Sequence, residues 1–431
     1  MILPLYRQIG YASGNFGKSL LWTSLEYLFL FYLTDIVGIS PEVAGLMILL
    51  SLIWDGVINP FIGYWIDRRS TMKLDYRPFL RLAPPLAGLL FVAVFLVPFD
   101  QSGANLAYLF VALFLFRTAY ALLDVPHNAL LAQMPVASTV RTRLAAMRFF
   151  FSSLGGLLIA VIAAPVFAVR IRPEAHEQVV GMAMIAGTVI TLTVWQSLVP
   201  ARQAFIERSH VGPPLDPRRY LVNILHNRIA VLYLCLAAVF AATAPLLGKT
   251  LPFLLRYVRN EGALLPTMLV AMTIGQMIAM PVCTLLAKHY GRFAVGYASL
   301  AGLTLALGSL HLALGASPSV LAVIVGCWGF CNGGTILTIW AMAGDIADHI
   351  ASTNGDRTDA GLLAFLTMVQ KCAIGLAAMM AGLSLHWGGF VAGIEQAEPA
   401  RDAIRFAALA IPALGAAGAA MLLRQLQRRL A

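Results

Sequence analysis

The chain has 431 residues, 60% of them apolar and only 12% charged, and its mean hydropathy is +0.80. Soluble domains carry about 25% charged residues, so this chain has too little polar surface to cover itself in water; its solvent is lipid, which excludes a soluble enzyme. The net charge of +10 does not point to nucleic acid either, because the basic residues gather in alternate turns (near 68–81, 141–143, 202–228 and 288–292) and in the tail at 424–429, the asymmetry of a positive-inside membrane protein.

The opening MILPLYRQIGYASG lacks a basic stretch followed by a short apolar core. It is read as leading into a first membrane helix that serves as both anchor and targeting signal. A crossing helix needs about 20 apolar residues. In chain order, such segments lie near 11–36, 42–66, 78–98, 104–132, 145–168 and 179–199. An Arg- and Pro-rich polar stretch follows, then six more segments near 228–257, 263–287, 293–314, 319–346, 361–387 and 402–424. The expected architecture is all-α, twelve transmembrane helices in two six-helix halves, 1–200 and 228–431, joined by a cytoplasmic linker at 201–227. The turns GYWIDRR (63–69) and AKHYGRF (287–293) occupy equivalent places in the two halves. Charge placement puts both termini in the cytoplasm of a bacterial inner membrane. The five cysteines sit in apolar segments without metal-ligand spacing and read as small buried hydrophobes. No GxxxxGK[ST] loop is present, so transport would run on an ion gradient or on the substrate's own gradient, with no cofactor.

Ionisable side chains near the bilayer centre are costly, roughly 2.5–3.5 kcal/mol each on insertion scales. This chain nevertheless places Lys18, Glu26, Asp55, Arg117, Asp124 and Lys371 there, with Lys249 and Arg148 nearer the margins. Lys18, Trp22 and Glu26 fall on one helical face, as do Arg117, Tyr120, Asp124 and Asn128, and Asp55 with Asn59 one turn apart. So many costly groups in stripes imply a hydrated central site between two rocking halves, although any one pair, such as Arg117 with Glu26, could simply fix helix packing. His127 beside the stripe reads as a packing residue rather than a proton relay. Asp345 and Asp348, with Arg357 beyond and Arg141 and Arg143 as partners, read as a cytoplasmic gate.

At these residues the chain resembles the glycoside–pentoside–hexuronide:cation symporters of the major facilitator superfamily. The likeness is carried by GNFGKS (14–19), YLTDIVGIS (32–40), IWDGVINP (53–60), DYRPF (75–79), YALLDVP (120–126), RFFFSSLGG (148–156), GDIADH (344–349) and TMVQK (367–371), in family order. The resemblance implies the major facilitator fold. It implies a cation site, for Na+ or H+, holding Asp55 and Asn59 and meeting the sugar site at Asp124. It also implies that Lys18 and Arg148 line the sugar pocket and that Lys371 reaches the same cavity; Arg117, Tyr120 and Asn128 join the substrate set by their stripe.

Three positions depart from the family pattern: Ser19 and Asn59 stand where it has aspartates, and Asn128 where it has a sugar-stacking tryptophan. The cations Lys18, Arg117, Arg148, Lys249 and Lys371 outnumber Glu26, Asp55 and Asp124, which tilts the expected cargo from a neutral sugar toward a sugar acid or glucuronide. The expected protein is a monomeric cation-coupled symporter of a small molecule, embedded in lipid, with no nucleic-acid partner and no metal beyond a possible Na+ at Asp55 and Asp124. Two other readings are a carrier of a lysophospholipid-like anionic amphiphile and, more distantly, an intramembrane enzyme using the acidic pair of DIAD (345–348). The latter lacks a second acidic motif.

Overall fold

The computed structural model describes residues 4–71, 77–96, 103–133, 138–162, 173–201, 225–354 and 359–430. Among them there are helices and no β-strand, as a bilayer requires of a chain that must satisfy its backbone internally. Ten helices are long and apolar enough to cross a membrane. Among the described residues, two expected spans fall outside those ten. The first is helical but interrupted, running as Leu5–Ala12, Gly14–Tyr27, Phe29–Phe31 and a π-helical turn at Tyr32–Ile36. Near its breaks, Ser13 and Ser24 turn their hydroxyls onto the carbonyls of Gly10 (2.9 Å) and Leu20 (2.7 Å), contacts that compete with the helical ladder. The fifth has a described apolar helix of Ala146–Ile162, shorter than a full span.

The described residues pack as two compact units. One comprises 4–39 with the described residues of 57–201; the other comprises 40–56 with 225–430. Large apolar side chains such as Leu82 (71% exposed), Leu89 (68%), Leu305 (71%) and Leu414 (68%) lie on the outside. A water-soluble fold would bury them; here they face lipid.

In the first unit, close backbone approach does the packing that the hydrophobic effect cannot do within a membrane. Helices Arg77–Phe95 and Pro173–Ala201 touch where Gly88 meets Gly187: a Cβ added at Gly187 would stand 2.8 Å from the Gly88 carbonyl oxygen. Helix Gly14–Tyr27 likewise turns Gly14 toward His127 and Ser197 and Gly17 toward Ile190 and Thr193. With the glycine edge against its neighbours, Lys18 is carried toward helix Gly103–Gln133.

In the second unit, the first part of helix Pro41–Thr71 lies along helix Asp359–Trp387, with Gly45 against the Ala378 carbonyl and Gly375 against Leu49 and Leu52. Helix Arg228–Thr243 begins at Asn227, whose side chain accepts from the amides of Ile229 (3.0 Å) and Ala230 (3.1 Å), satisfying two orphan donors. Helices Leu265–Tyr290, Arg292–Leu312 and Pro318–Asn354 pack together, with Gly291 (φ 81°) making the turn between the first two.

Candidate functional site

Within the first unit, three helices converge on one polar cluster. Lys18 donates to Asp124 Oδ1 at 2.6 Å and to Asn128 Oδ1 at 3.0 Å. The Asn128 amide donates to Asp124 Oδ2 at 3.0 Å, which the spacing of four on helix Gly103–Gln133 makes possible. Arg148, on helix Ser138–Ile162, donates to Asn15 Oδ1 at 3.1 Å and also to Asn128 Oδ1. Asn15 donates to Ser152 Oγ at 3.4 Å, and Ser19 donates to the Ser152 carbonyl at 2.6 Å. Pro126 lies between Asp124 and Asn128 and has no amide hydrogen for the Leu122 carbonyl, which loosens the helix at the site. Lys18 is buried, whereas Asn128 reaches the surface and Asp124 and Arg148 are partly exposed. The cluster therefore has a dry root and an accessible face. On that face two cations share the oxygen of a neutral amide.

Behind the cluster, Arg117 is buried with its guanidinium 5.4 Å from the Trp22 ring centroid, and Trp22 lies 6.3 Å from the Tyr120 ring. The Tyr120 hydroxyl donates to the Lys18 carbonyl at 3.3 Å. His127 is fully buried, stacked on Tyr11 at 5.2 Å, with Nε2 3.1 Å from Ser197 Oγ. Ser197 spends its hydroxyl hydrogen on the Val194 carbonyl at 2.6 Å, which assigns the imidazole proton to Nε2. That geometry is a packing role.

The second unit holds the other predicted carboxylate. Asp55 is fully buried and accepts from Lys371 Nζ at 2.8 Å across the helices Pro41–Thr71 and Asp359–Trp387. A buried pair of this kind survives because each charge neutralises the other. Lys249 is buried in helix Pro245–Phe253 of the same unit. Asn59, one turn past Asp55 on its helix, has a buried Oδ1 with no hydrogen-bond partner among the described residues, an oxygen suited to a cation or water.

Of the expected gate, Asp345 is ion-paired with Arg292, and Arg143 donates to Gln8 at 2.9 Å; the sequence had suggested Arg141 and Arg143 as the partners of the aspartates. Arg357 and the side chains of Arg141 and Asp348 lie outside the described residues. Sequence reasoning also passed over Asn15 and Ser152, which stand inside the quoted motifs GNFGKS and RFFFSSLGG, and over the pair of Glu42 and His386 at 2.9 Å.

Comparison with known proteins bears on the family and the fold. The profile of the family described as MFS/sugar transport protein matches residues 10–427. A putative glycoside/cation symporter of Escherichia coli (strain K12) is 26% identical over 398 residues, 89% of this chain and 82% of that protein. A glucuronide carrier protein homolog of the same organism is 24% identical over 419 residues, covering 94% and 88%. Among solved structures, a nucleoside transporter superposes with a TM-score of 0.67 at 11% identity, over 98% of this chain and 99% of that one; at that identity the likeness speaks for the fold alone.

Proposed function

The chain belongs to the MFS/sugar transport protein family and is a multi-span membrane transporter of a small molecule, not an enzyme; from that premise we propose that it imports a sugar derivative bearing an anionic group, driven by Na+ or H+. The observation that carries the anionic choice is the convergence of Lys18 and Arg148 on Asn128 Oδ1. Asp124 neutralises one of these cations, so the cluster of Lys18, Asp124, Asn128 and Arg148 retains an excess positive charge. An amide oxygen satisfies two charged donors poorly; a carboxylate or similar group would satisfy them better. The relatives named for glycosides and a glucuronide support a sugar frame around that group, and they do not favour the lysophospholipid reading.

Coupling in this proposal centres on Asp55. A cation entering there must take the carboxylate from Lys371, which changes the charge state of this buried pair. Coupling asks that cation and substrate each prefer the state that the other stabilises. For Na+, the Oδ1 of Asn59, one turn along the same helix, is a further candidate oxygen, while H+ needs the carboxylate alone. Transport in this reading proceeds by alternating access, with the Asp345–Arg292 pair contributing to the cytoplasmic gate. The basic turns and the bacterial relatives support a bacterial inner-membrane location with both termini in the cytoplasm, and nothing in the mechanism asks for a second copy.

The test is uptake into proteoliposomes of a glucuronide and of its neutral glucoside, by wild type and Arg148→Gln. The proposal expects glucuronide uptake by wild type and its loss in the variant. Preference for the neutral glucoside, unchanged in Arg148→Gln, would refute it.

A further inference from the structure

A second place in the molecule combines an apolar recess with clustered positive charge. Helices Leu265–Tyr290, Arg292–Leu312 and Pro318–Asn354 enclose a crevice of about 350 Å³, lined by Leu286, Tyr290, Ala294, Ala298, Phe330 and Cys331 among others. Its volume falls within the usual range for small-molecule sites, roughly 300–1,000 Å³. The crevice has two thiols in its wall, Cys283 and Cys331, and almost no polar surface. It opens outward: Leu286, Tyr290, Ala294 and Ala298 are all exposed, Tyr290 at 72%.

The charge lies at one end of it. Tyr290 and Ala294 line the crevice on either side of the Gly291 turn, and that turn carries Lys288, His289 and Arg292. Arg292 is engaged by Asp345. On the neighbouring helix Ile411–Leu430, Gln427 accepts from the Tyr297 hydroxyl at 2.8 Å, and this contact brings Arg424 and Arg428 within electrostatic reach of Tyr297. Lys288, Arg424 and Arg428 are all exposed. A membrane-facing apolar slot capped by basic side chains has the two halves of a phospholipid site: a place for an acyl chain and a counter-charge for the headgroup.

We infer that this crevice binds one anionic glycerophospholipid of the surrounding leaflet, its acyl chain between the three helices and its phosphate against Lys288, Arg424 and Arg428. The site is remote in chain position from the Lys18–Asp124 cluster, and only its assignment to the cytoplasmic leaflet rests on the topology proposed above. A neutral lipid would fill the slot but leave the basic cap unanswered; an anionic one satisfies both.

The experiment is native mass spectrometry of the full-length protein released from nanodiscs of phosphatidylglycerol and phosphatidylcholine, counting retained lipid. The wild type is expected to keep one phosphatidylglycerol in preference to phosphatidylcholine. Ala298→Trp, which fills the crevice, is expected to lose it, while Leu305→Trp, at an exposed site on the same helix outside the crevice lining, is expected to keep it. Lys288→Gln and Arg424→Gln are each expected to reduce retention roughly fivefold. Phosphatidylglycerol should also slow maleimide labelling of Cys331. Equal retention of the two lipids, or unchanged retention in a folded Ala298→Trp protein, overturns the inference. Lipid retention is read without any transport assay, so a failure of the symport reading leaves a different signature. Labelling of Lys288→Cys from the two sides of the membrane tests the leaflet separately.

Discussion

Lys371 and Asp55, 316 positions apart in sequence, meet as a 2.8 Å ion pair whose carboxylate is wholly buried. Removing one partner of a buried pair strands the other charge at a cost of about 3–5 kcal/mol. Lys371→Ala is therefore expected to lower thermal stability sharply, and the double substitution Asp55→Asn/Lys371→Gln to restore most of it. A double variant no more stable than Lys371→Ala would show that the pair is not what holds these helices at that level.

The same pair predicts how coupling fails. Asp55→Asn keeps the shape of the site but removes the charge for which, in the proposed mechanism, a cation competes with Lys371. Gradient-driven accumulation in vesicles is expected to vanish while substrate exchange at equal concentrations survives. Unchanged accumulation would remove Asp55 from the coupling role.

Asn128 tests the substrate charge without altering bulk. Asn128→Asp gives Lys18 and Arg148 a carboxylate of their own, so an anionic substrate meets a cluster already neutralised and a like charge beside Asp124. Anion uptake is expected to fall at least about tenfold, equivalent to about 1.4 kcal/mol, with neutral glycosides affected less. Competition assays with paired charged and neutral glycosides measure the split.

His127 offers a contrast, since its contacts are those of a packing residue. Ser197→Ala removes the acceptor of the Nε2 hydrogen and is expected to cost about 1 kcal/mol of stability, leaving the pH profile of uptake where it was. A displaced pH profile would give His127 a part in proton movement that its geometry does not suggest.

Gly88 and Gly187 set the approach of helices Arg77–Phe95 and Pro173–Ala201. Gly187→Leu has no room, because its Cβ alone would press on the Gly88 carbonyl, so the variant is expected to express poorly and unfold at lower temperature. Fluorescence-detected size exclusion at rising temperature reads this directly.

The extent to which these features are legible in the sequence differs by kind. The spans are legible because long apolar runs have no other solvent than lipid; the ordered motifs carry the family, and the match over residues 10–427 bears out that resemblance. The stripe of Asp124 and Asn128 is legible because helical periodicity puts positions four apart on one face. The breaks around Ser13 and Leu28 are not, since a serine in an apolar helix looks the same whether its hydroxyl bonds backward or outward. The partnerships are hidden as well. Nothing local to Asp55 names Lys371, and nothing local to Asp345 prefers Arg292 over Arg141 or Arg143. Asn15 and Ser152 are missed for a different reason: uncharged side chains carry no insertion cost large enough to stand out, although both lie inside motifs that the sequence does display.

The central claim, cation-coupled uptake of an anionic sugar derivative, is tested most directly by proteoliposomes holding the purified protein under an imposed Na+ or H+ gradient. The account predicts that a glucuronide accumulates above its outside concentration, that its neutral glucoside does not, and that the glucuronide leaks back when an ionophore collapses the gradient. Accumulation of the neutral glucoside to the same level, or glucuronide accumulation that persists after the gradient is gone, would contradict it.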